Sequence, residues 1–276
     1  MSEEDKGYQL QYHRSGKPVV ERQIGGAHPF WKNELYWRDG FVKLMDTVFP
    51  RREIIDVHGT LDALIPYMEQ GNGVIFASSH PTRREAFELP YLVFTHPYLR
   101  DKFLNSALAK HQYKHWLAKW AELSGQNVVP IVTQHSSESL REERGGGLNE
   151  FLDSSVQTLA MGGVEVFTPQ GERRATIGKR TAALFNIMNR ADEKGVYNYA
   201  VIPVGVNIEG VTDYSKARGF VPFKNYQMVI GELYERDRIY AELEVENDRH
   251  IAITASKLGN WFNDRIQDLT PPSYHA

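Results

Sequence analysis

The sequence predicts an α/β fold, a single domain with a mostly parallel central sheet flanked by helices. Two observations carry this expectation. Short apolar runs rich in β-branched residues recur along the chain, several of them bounded by glycine, and segments with helical spacing of apolar residues separate them. A run that is apolar at consecutive positions fits a strand covered on both faces, as parallel strands are. At 276 residues, 41% hydrophobic and 24% charged, the chain has a globular composition and the length to bury a sizeable core.

Residues 1–28 form a polar leader containing Gly16, Pro18, Gly25 and Gly26, and the folded part is expected over 29–270. From Trp31 to Phe49 the residues Trp31, Leu35, Phe41, Leu44, Met45 and Val48 recur at spacings that put most of them on one side of a helix, which Pro50 ends. A strand from Glu53 to His58, a helix from Leu61 to Glu69 and a strand from Gly73 to Ser78 follow. Helices are expected at about 84–95 and 101–123, then a strand from Asn127 to Val132 and an exposed polar loop from Gln134 to Gly147. A helix over 148–162, a strand from Val164 to Phe167 and a helix over 178–194 come next. Strands from Tyr199 to Val206 and Tyr226 to Ile230 precede a last helix over 247–268, whose Ile251, Leu258, Trp261, Phe262 and Ile266 suit a core.

The charge balance narrows the function. With 32 Lys and Arg against 35 Asp and Glu, the formal net charge of -3 argues against a surface built for nucleic acid, so no nucleic-acid partner is expected. The absence of cysteine removes disulfides, thiolate nucleophiles and cysteine-type zinc sites. No stretch reaches the ~18 uninterrupted apolar residues of a membrane span, and Met1 to Lys6 is acidic, unlike a signal peptide. A cytoplasmic protein is expected, with peripheral membrane contact left open.

In open α/β sheets ligands bind beyond the carboxyl ends of the strands, so the residues just after each buried run are the first candidates for chemistry. The strand Gly73–Ser78 runs into Ser79-His80-Pro81-Thr82-Arg83-Arg84-Glu85. Pro81 suits the first turn of a helix. His80 then stands at the strand-to-helix turn with Glu85 one turn on, near enough for the carboxylate to fold back and fix the imidazole tautomer. This makes His80 a candidate general base. The plainer reading is a histidine at a helix start, with Glu85 pairing Arg83 or Arg84 on a solvated face. After the strand Val164–Phe167 comes Thr168-Pro169-Gln170-Gly171-Glu172-Arg173-Arg174, a tight turn that would present Arg173 and Arg174 at the same sheet edge. Arginine suits bidentate recognition of phosphate or carboxylate, so this turn is a candidate anion site, or else an ordinary solvated turn.

The order of these blocks resembles the glycerolipid acyltransferase family, the lysophosphatidate and glycerol-3-phosphate acyltransferases, over roughly residues 54–210. In that family a strand leads to Asn-His-x4-Asp, and after further helices another strand leads to Phe-Pro-Glu-Gly-Thr-Arg, followed by a Val-Pro-Val strand. Ser79 to Glu85 is similar to the first of these blocks and Thr168 to Arg173 to the second. Ile202-Pro203-Val204 looks like the last, and His58-Gly59-Thr60-Leu61 resembles the approach to the first strand. The resemblance implies transfer of a fatty acyl group from acyl-CoA or acyl-carrier protein to a hydroxyl of a glycerophosphate or lysophospholipid-like acceptor. The acyl donor would be a co-substrate, with no resident cofactor and no metal.

Carried over by matching positions, the resemblance makes His80 the base and Glu85 its orienting carboxylate. It puts Arg173 at the phosphate-binding arginine, with Gly171 and Gln170 in the turn that presents it. Lys110 sits near the family's Ala-Lys segment and would add positive charge to the acceptor pocket. The sequence departs from the pattern in places. Glu85 stands for the usual Asp, and Gln170 and Glu172 stand where the family has Glu and Thr. Residues 127–134 lack the Arg of the family's middle block, for which Arg83, Arg84 and Arg174 are candidate substitutes. Other readings fit parts of the sequence. His111 and His115, at i and i+4, match a metal-dependent hydrolase, but the Glu of His-Glu-x-x-His is absent. A Ser-His-Asp hydrolase is weaker, since no Gly-x-Ser-x-Gly elbow occurs in the sequence. A further reading is a non-catalytic domain of the same type that binds lipid or a partner.

Overall fold

A computed structural model describes residues 34–82, 84–109, 120–121, 123–131, 147–169, 182–211, 214, 225–244 and 254–274. The first helix, α1 (Glu34–Val48), is followed by β1 (Arg52–Asp56), α2 (Thr60–Glu69), β2 (Gly73–Ser78) and α3 (Glu85–Thr95). A short 3₁₀ turn, Leu99–Asp101, leads into β3 (Leu104–Ala109). Then come β4 (Gln126–Ile131), α4 (Leu148–Ala160), β5 (Val164–Phe167), α5 (Ala183–Glu193), β6 (Tyr199–Ile208), β7 (Tyr226–Ile230) and β8 (Tyr234–Glu235). Helices α6 (Arg236–Glu244) and α7 (Ala255–Gln267) close the order. Among the described residues no helix is long and apolar enough to cross a membrane.

The described strands form one sheet in the order β1-β7-β6-β2-β5-β3-β4, with β8 against the start of β6. Strands β6, β2, β5, β3 and β4 are mutually parallel. Strand β7 runs antiparallel to β6, and β1 runs parallel to β7. The sheet is therefore mostly parallel, as expected, with β1 and β7 reversed at one edge and the short β8 antiparallel to β6.

Every residue of β2 is buried, which is why it reads as an unbroken apolar run. Its side chains alternate between two cores. Val74 and Phe76 join Phe41, Met45, Leu64, Met68, Leu89 and Leu92 of α1, α2 and α3 on one face. Ile75 and Ala77 join Val156, Leu159, Ile187, Met188, Leu258 and Trp261 of α4, α5 and α7 on the other. Burial of side chains of this size stabilises the fold by about 1.5–3 kcal/mol each. Helix α2 starts where Gly59 takes a left-handed φ of 64° and the Asp56 carboxylate accepts from the Thr60 and Leu61 amides at 2.8 Å each.

One expected helix is corrected. Within 101–123, Leu104–Ala109 is a strand that pairs β4 along its length and β5 at its start. Leu and Ala favour a helix, but Asn105 and Ser106 do not, and two waiting strand edges satisfy the backbone on both sides. Two smaller differences lie further on. The last helix begins at Ala255, where the Thr254 side chain accepts from the Lys257 amide, and β8 with α6 occupies a stretch for which no element was expected. Residues 1–33, 132–146 and 245–253, which carry the leader, the polar loop and the predicted start of the last helix, lie outside the described residues.

A carboxyl group sits inside the sheet. Glu165 of β5 is 0% exposed, and its Oε2 accepts from the Asn105 amide at 2.6 Å. Burial pushes this carboxyl up to about 8 against the pull of its hydrogen bonds. The folded protein then holds a proton that the unfolded chain releases near pH 4.5, so stability falls as pH rises between those values and levels off above the higher one. Glu165→Gln keeps an acceptor for Asn105 and has no proton to lose. In urea unfolding the variant is expected to exceed wild type in stability at pH 8, with the gap closing toward pH 5.

Candidate active site

The carboxyl end of β2 is pinned to β6 before it turns. The Ser79 amide donates to the Val204 carbonyl at 3.0 Å, and the Ser79 hydroxyl accepts from the Val206 amide at 3.0 Å. His80 follows at this fixed exit. Pro81 and Thr82 are buried, and α3 begins three residues after Thr82.

Glu85, in the first turn of α3, lies with Oε2 at 3.0 Å from His80 Nδ1. The Glu85 side chain is 1% exposed and that of His80 16%, so the pair lies at the surface with its carboxylate end shut in. The other carboxylate oxygen is engaged as well: Oε1 accepts from the Thr82 hydroxyl at 2.8 Å, the Thr82 amide at 3.3 Å and the Tyr226 hydroxyl at 2.8 Å. Thr82 and Glu85 brace the approach to α3, since the Thr82 hydroxyl also accepts from the amide of Arg84, the residue from which the helix starts, at 2.9 Å. One carboxylate thus braces the turn before α3 and faces the imidazole.

Burial alone would raise the Glu85 carboxyl. The hydrogen bond and charge of His80, the backbone and Thr82 outweigh it and hold the group below its ordinary value. An ionised Glu85 accepts from an Nδ1–H, and this tautomer makes Nε2 the basic nitrogen of the neutral ring. Such a pair can take a proton from a hydroxyl, an amine or water.

Beneath Glu85 lies an ion-pair layer. The Arg84 guanidinium donates to Glu88 Oε1 from Nε at 3.0 Å and from Nη2 at 2.5 Å, and Arg52 Nε of β1 lies 3.0 Å from Glu88 Oε2. Arg84 also stacks on the rings of Phe49 and Tyr226, at 4.5 and 4.3 Å from their centroids. Burial raises the Glu88 carboxyl against the opposing pull of the two guanidiniums. Arg84 had been expected to offer charge to a substrate. It is instead 0% exposed and turned into the protein, where Glu88 and two aromatic rings hold it.

The exit of β5 lies beside this site. Phe167 pairs with Ala77, so Thr168 and Pro169 leave the sheet next to the β2 exit, as the sequence predicted for the two strand ends. Arg83, Lys110, Gln170, Gly171, Arg173 and Arg174 lie outside the described residues, as do His111 and His115. Among the described residues no group of three or more His, Cys, Asp or Glu side chains gathers as a metal site.

Two partners of Glu85 were missed by reading strand ends. Thr82 had a visible signal, the Thr-x-x-Glu spacing of a capping box. Tyr226 had none, because it is the first residue of a reversed strand and not the last of a parallel one. The fold and site define an α/β sandwich with a carboxylate-backed histidine at the carboxyl edge of its parallel strands. No protein-family model matches the sequence, and no curated protein matches it.

Removing Arg84 would leave Glu88 buried with half its countercharge. Arg84→Ala is expected to cost about 3 kcal/mol or more of unfolding free energy, the usual penalty for breaking a buried ion pair, as read from chemical denaturation. Arg84→Lys is expected to recover part of it.

Proposed function

We propose that the chain is an acyltransferase of the glycerolipid type. It would move a fatty acyl group from acyl-CoA or acyl-carrier protein to a hydroxyl of a glycerophosphate or lysophospholipid-like acceptor. The observation that carries the reading is the His80–Glu85 contact of 3.0 Å at the β2 exit, beside the exit of β5. In the proposed reaction His80 Nε2 takes the acceptor hydroxyl proton as its oxygen attacks the thioester carbonyl. The tetrahedral intermediate collapses with the C–S bond breaking, and the departing thiolate takes the proton from His80. Glu85 holds the ring and balances its charge while it carries that proton.

By the resemblance, the anionic part of the acceptor would fall to Arg173, with Gln170 and Gly171 of the same motif, and Arg83 and Lys110 would add further charge. Arg84 drops out of this set, because its guanidinium is committed to Glu88. A lipid acceptor would bring the protein to a membrane surface by peripheral contact, while a soluble acceptor would not require it.

The test is thiol release from acyl-CoA donors with a panel of hydroxyl acceptors. Wild type is expected to turn over, and His80→Ala to lose activity by about a thousandfold, the scale of general base catalysis. Wild-type protein that binds lipid vesicles but releases no thiol with any donor would replace this reading with a binding role.

A further inference from the structure

We propose that Tyr226 is a positioning residue for His80 that acts through Glu85. The proposal rests on the reading of His80 as the base and adds a residue from a different part of the chain. Tyr226 reaches the site because β7 is reversed. A strand antiparallel to β6 brings its first residue, and not its last, to the edge where the parallel strands end, and Tyr226 pairs there with Ile208. Strand β1 runs parallel to β7, so its first described residue, Arg52, arrives at the same edge, paired with Tyr226.

The placement of the hydroxyl is tightly determined. Tyr226 is 1% exposed, and the Arg84 guanidinium lies over its ring, 4.3 Å from the centroid. Its Oη lies 2.8 Å from Glu85 Oε1, the oxygen that also receives Thr82, while Oε2 faces His80. With donors from both sides of the carboxylate fixing Oε1, the group cannot rotate without breaking bonds, and Oε2 is left as the oxygen for the imidazole. Donation also favours the ionised carboxylate, which an enclosed site would otherwise disfavour. Burial, with the charges of Glu85 and Glu88, raises the Tyr226 phenol well above its ordinary value, so it remains a donor. The other charged or titratable groups around the pair are His80, on Glu85 itself; Glu88 and Arg84, which act on Tyr226, with Arg52 on Glu88; and Tyr214, which feels the charge of Glu85 and whose hydroxyl accepts from the Ile208 amide.

Tyr226→Phe removes the hydroxyl and keeps the ring on Arg84. The direct readout is the Glu85 side-chain carbon signal in protein labelled with carbon-13 at the glutamate carboxyl, assigned with Glu85→Gln. The phenylalanine variant is expected to titrate Glu85 at higher pH than wild type. Fluorotyrosine at position 226, a stronger donor, is expected to move it the opposite way, which a purely steric role would not do. In the thiol-release assay kcat is expected to fall about tenfold with KM unchanged, the rate equivalent of one hydrogen bond to a charged group. A Glu85 titration that neither variant moves would overturn the proposal, and so would an unchanged kcat. Wild type that releases no thiol would sink acyl transfer alone, and the carboxyl titration would still decide the role of Tyr226.

Discussion

The site depends on a carboxylate that is taken out of water and kept charged. A lone carboxylate in an apolar interior would take up a proton or open the structure, because desolvation of an ion costs several kcal/mol even after relaxation. Glu85 escapes this through its donors: the Thr82 hydroxyl and amide, the Tyr226 hydroxyl and His80 Nδ1. Each donor comes from a segment fixed by other means. Thr82 belongs to the turn before α3, where its hydroxyl also accepts from the Arg84 amide, Tyr226 to a sheet strand, and His80 to a strand exit bonded to β6 through Ser79. The geometry at His80 is therefore inherited from the fold, and little of it is left to the rotamer of an exposed side chain.

The reversed edge of the sheet is what makes this enclosure. If β1 and β7 ran with the rest, Arg52 and Tyr226 would lie at the opposite end of the sheet from His80. Reversed, they bring a cation and a phenol to the carboxyl edge, where Arg52 joins Arg84 on Glu88 and Tyr226 joins Glu85. The two buried acids of α3 have different surroundings as a result. Glu88 meets two guanidiniums and serves as an internal tie between α3 and β1, whereas Glu85 meets neutral donors and an imidazole and is held below its ordinary value. Only the second arrangement can respond to a proton arriving at His80.

Much of this could be read from residue order. Strands buried on both faces, such as Gly73–Ser78 and Val164–Phe167, announce themselves as apolar runs, and the two candidate motifs follow them directly. The His80–Glu85 contact could be read from the spacing, although Pro81 does not start the helix as expected: it lies in a bend, and α3 begins at Glu85, whose first-turn carboxylate reaches back to the imidazole. The strand Leu104–Ala109 was hidden, since its residues favour a helix and only the edges of β4 and β5 decide otherwise. Arg84 looked like a solvent-facing cation because its buried acid partner lies one turn along the same helix, a spacing equally common on surfaces. Tyr226 depends on strand direction 141 positions away from Glu85, which local pattern does not encode.

The central claim is that a buried, ionised Glu85 holds the His80 ring with its proton on Nδ1. Nitrogen-15 NMR of the ring-labelled protein, with His80 assigned by its loss in His80→Ala, reads the tautomer directly at a pH where the ring is neutral. The account predicts a protonated Nδ1 and a bare Nε2. A neutral ring carrying its proton on Nε2 would contradict it, because Nδ1 would then meet the Glu85 carboxylate without a hydrogen between them.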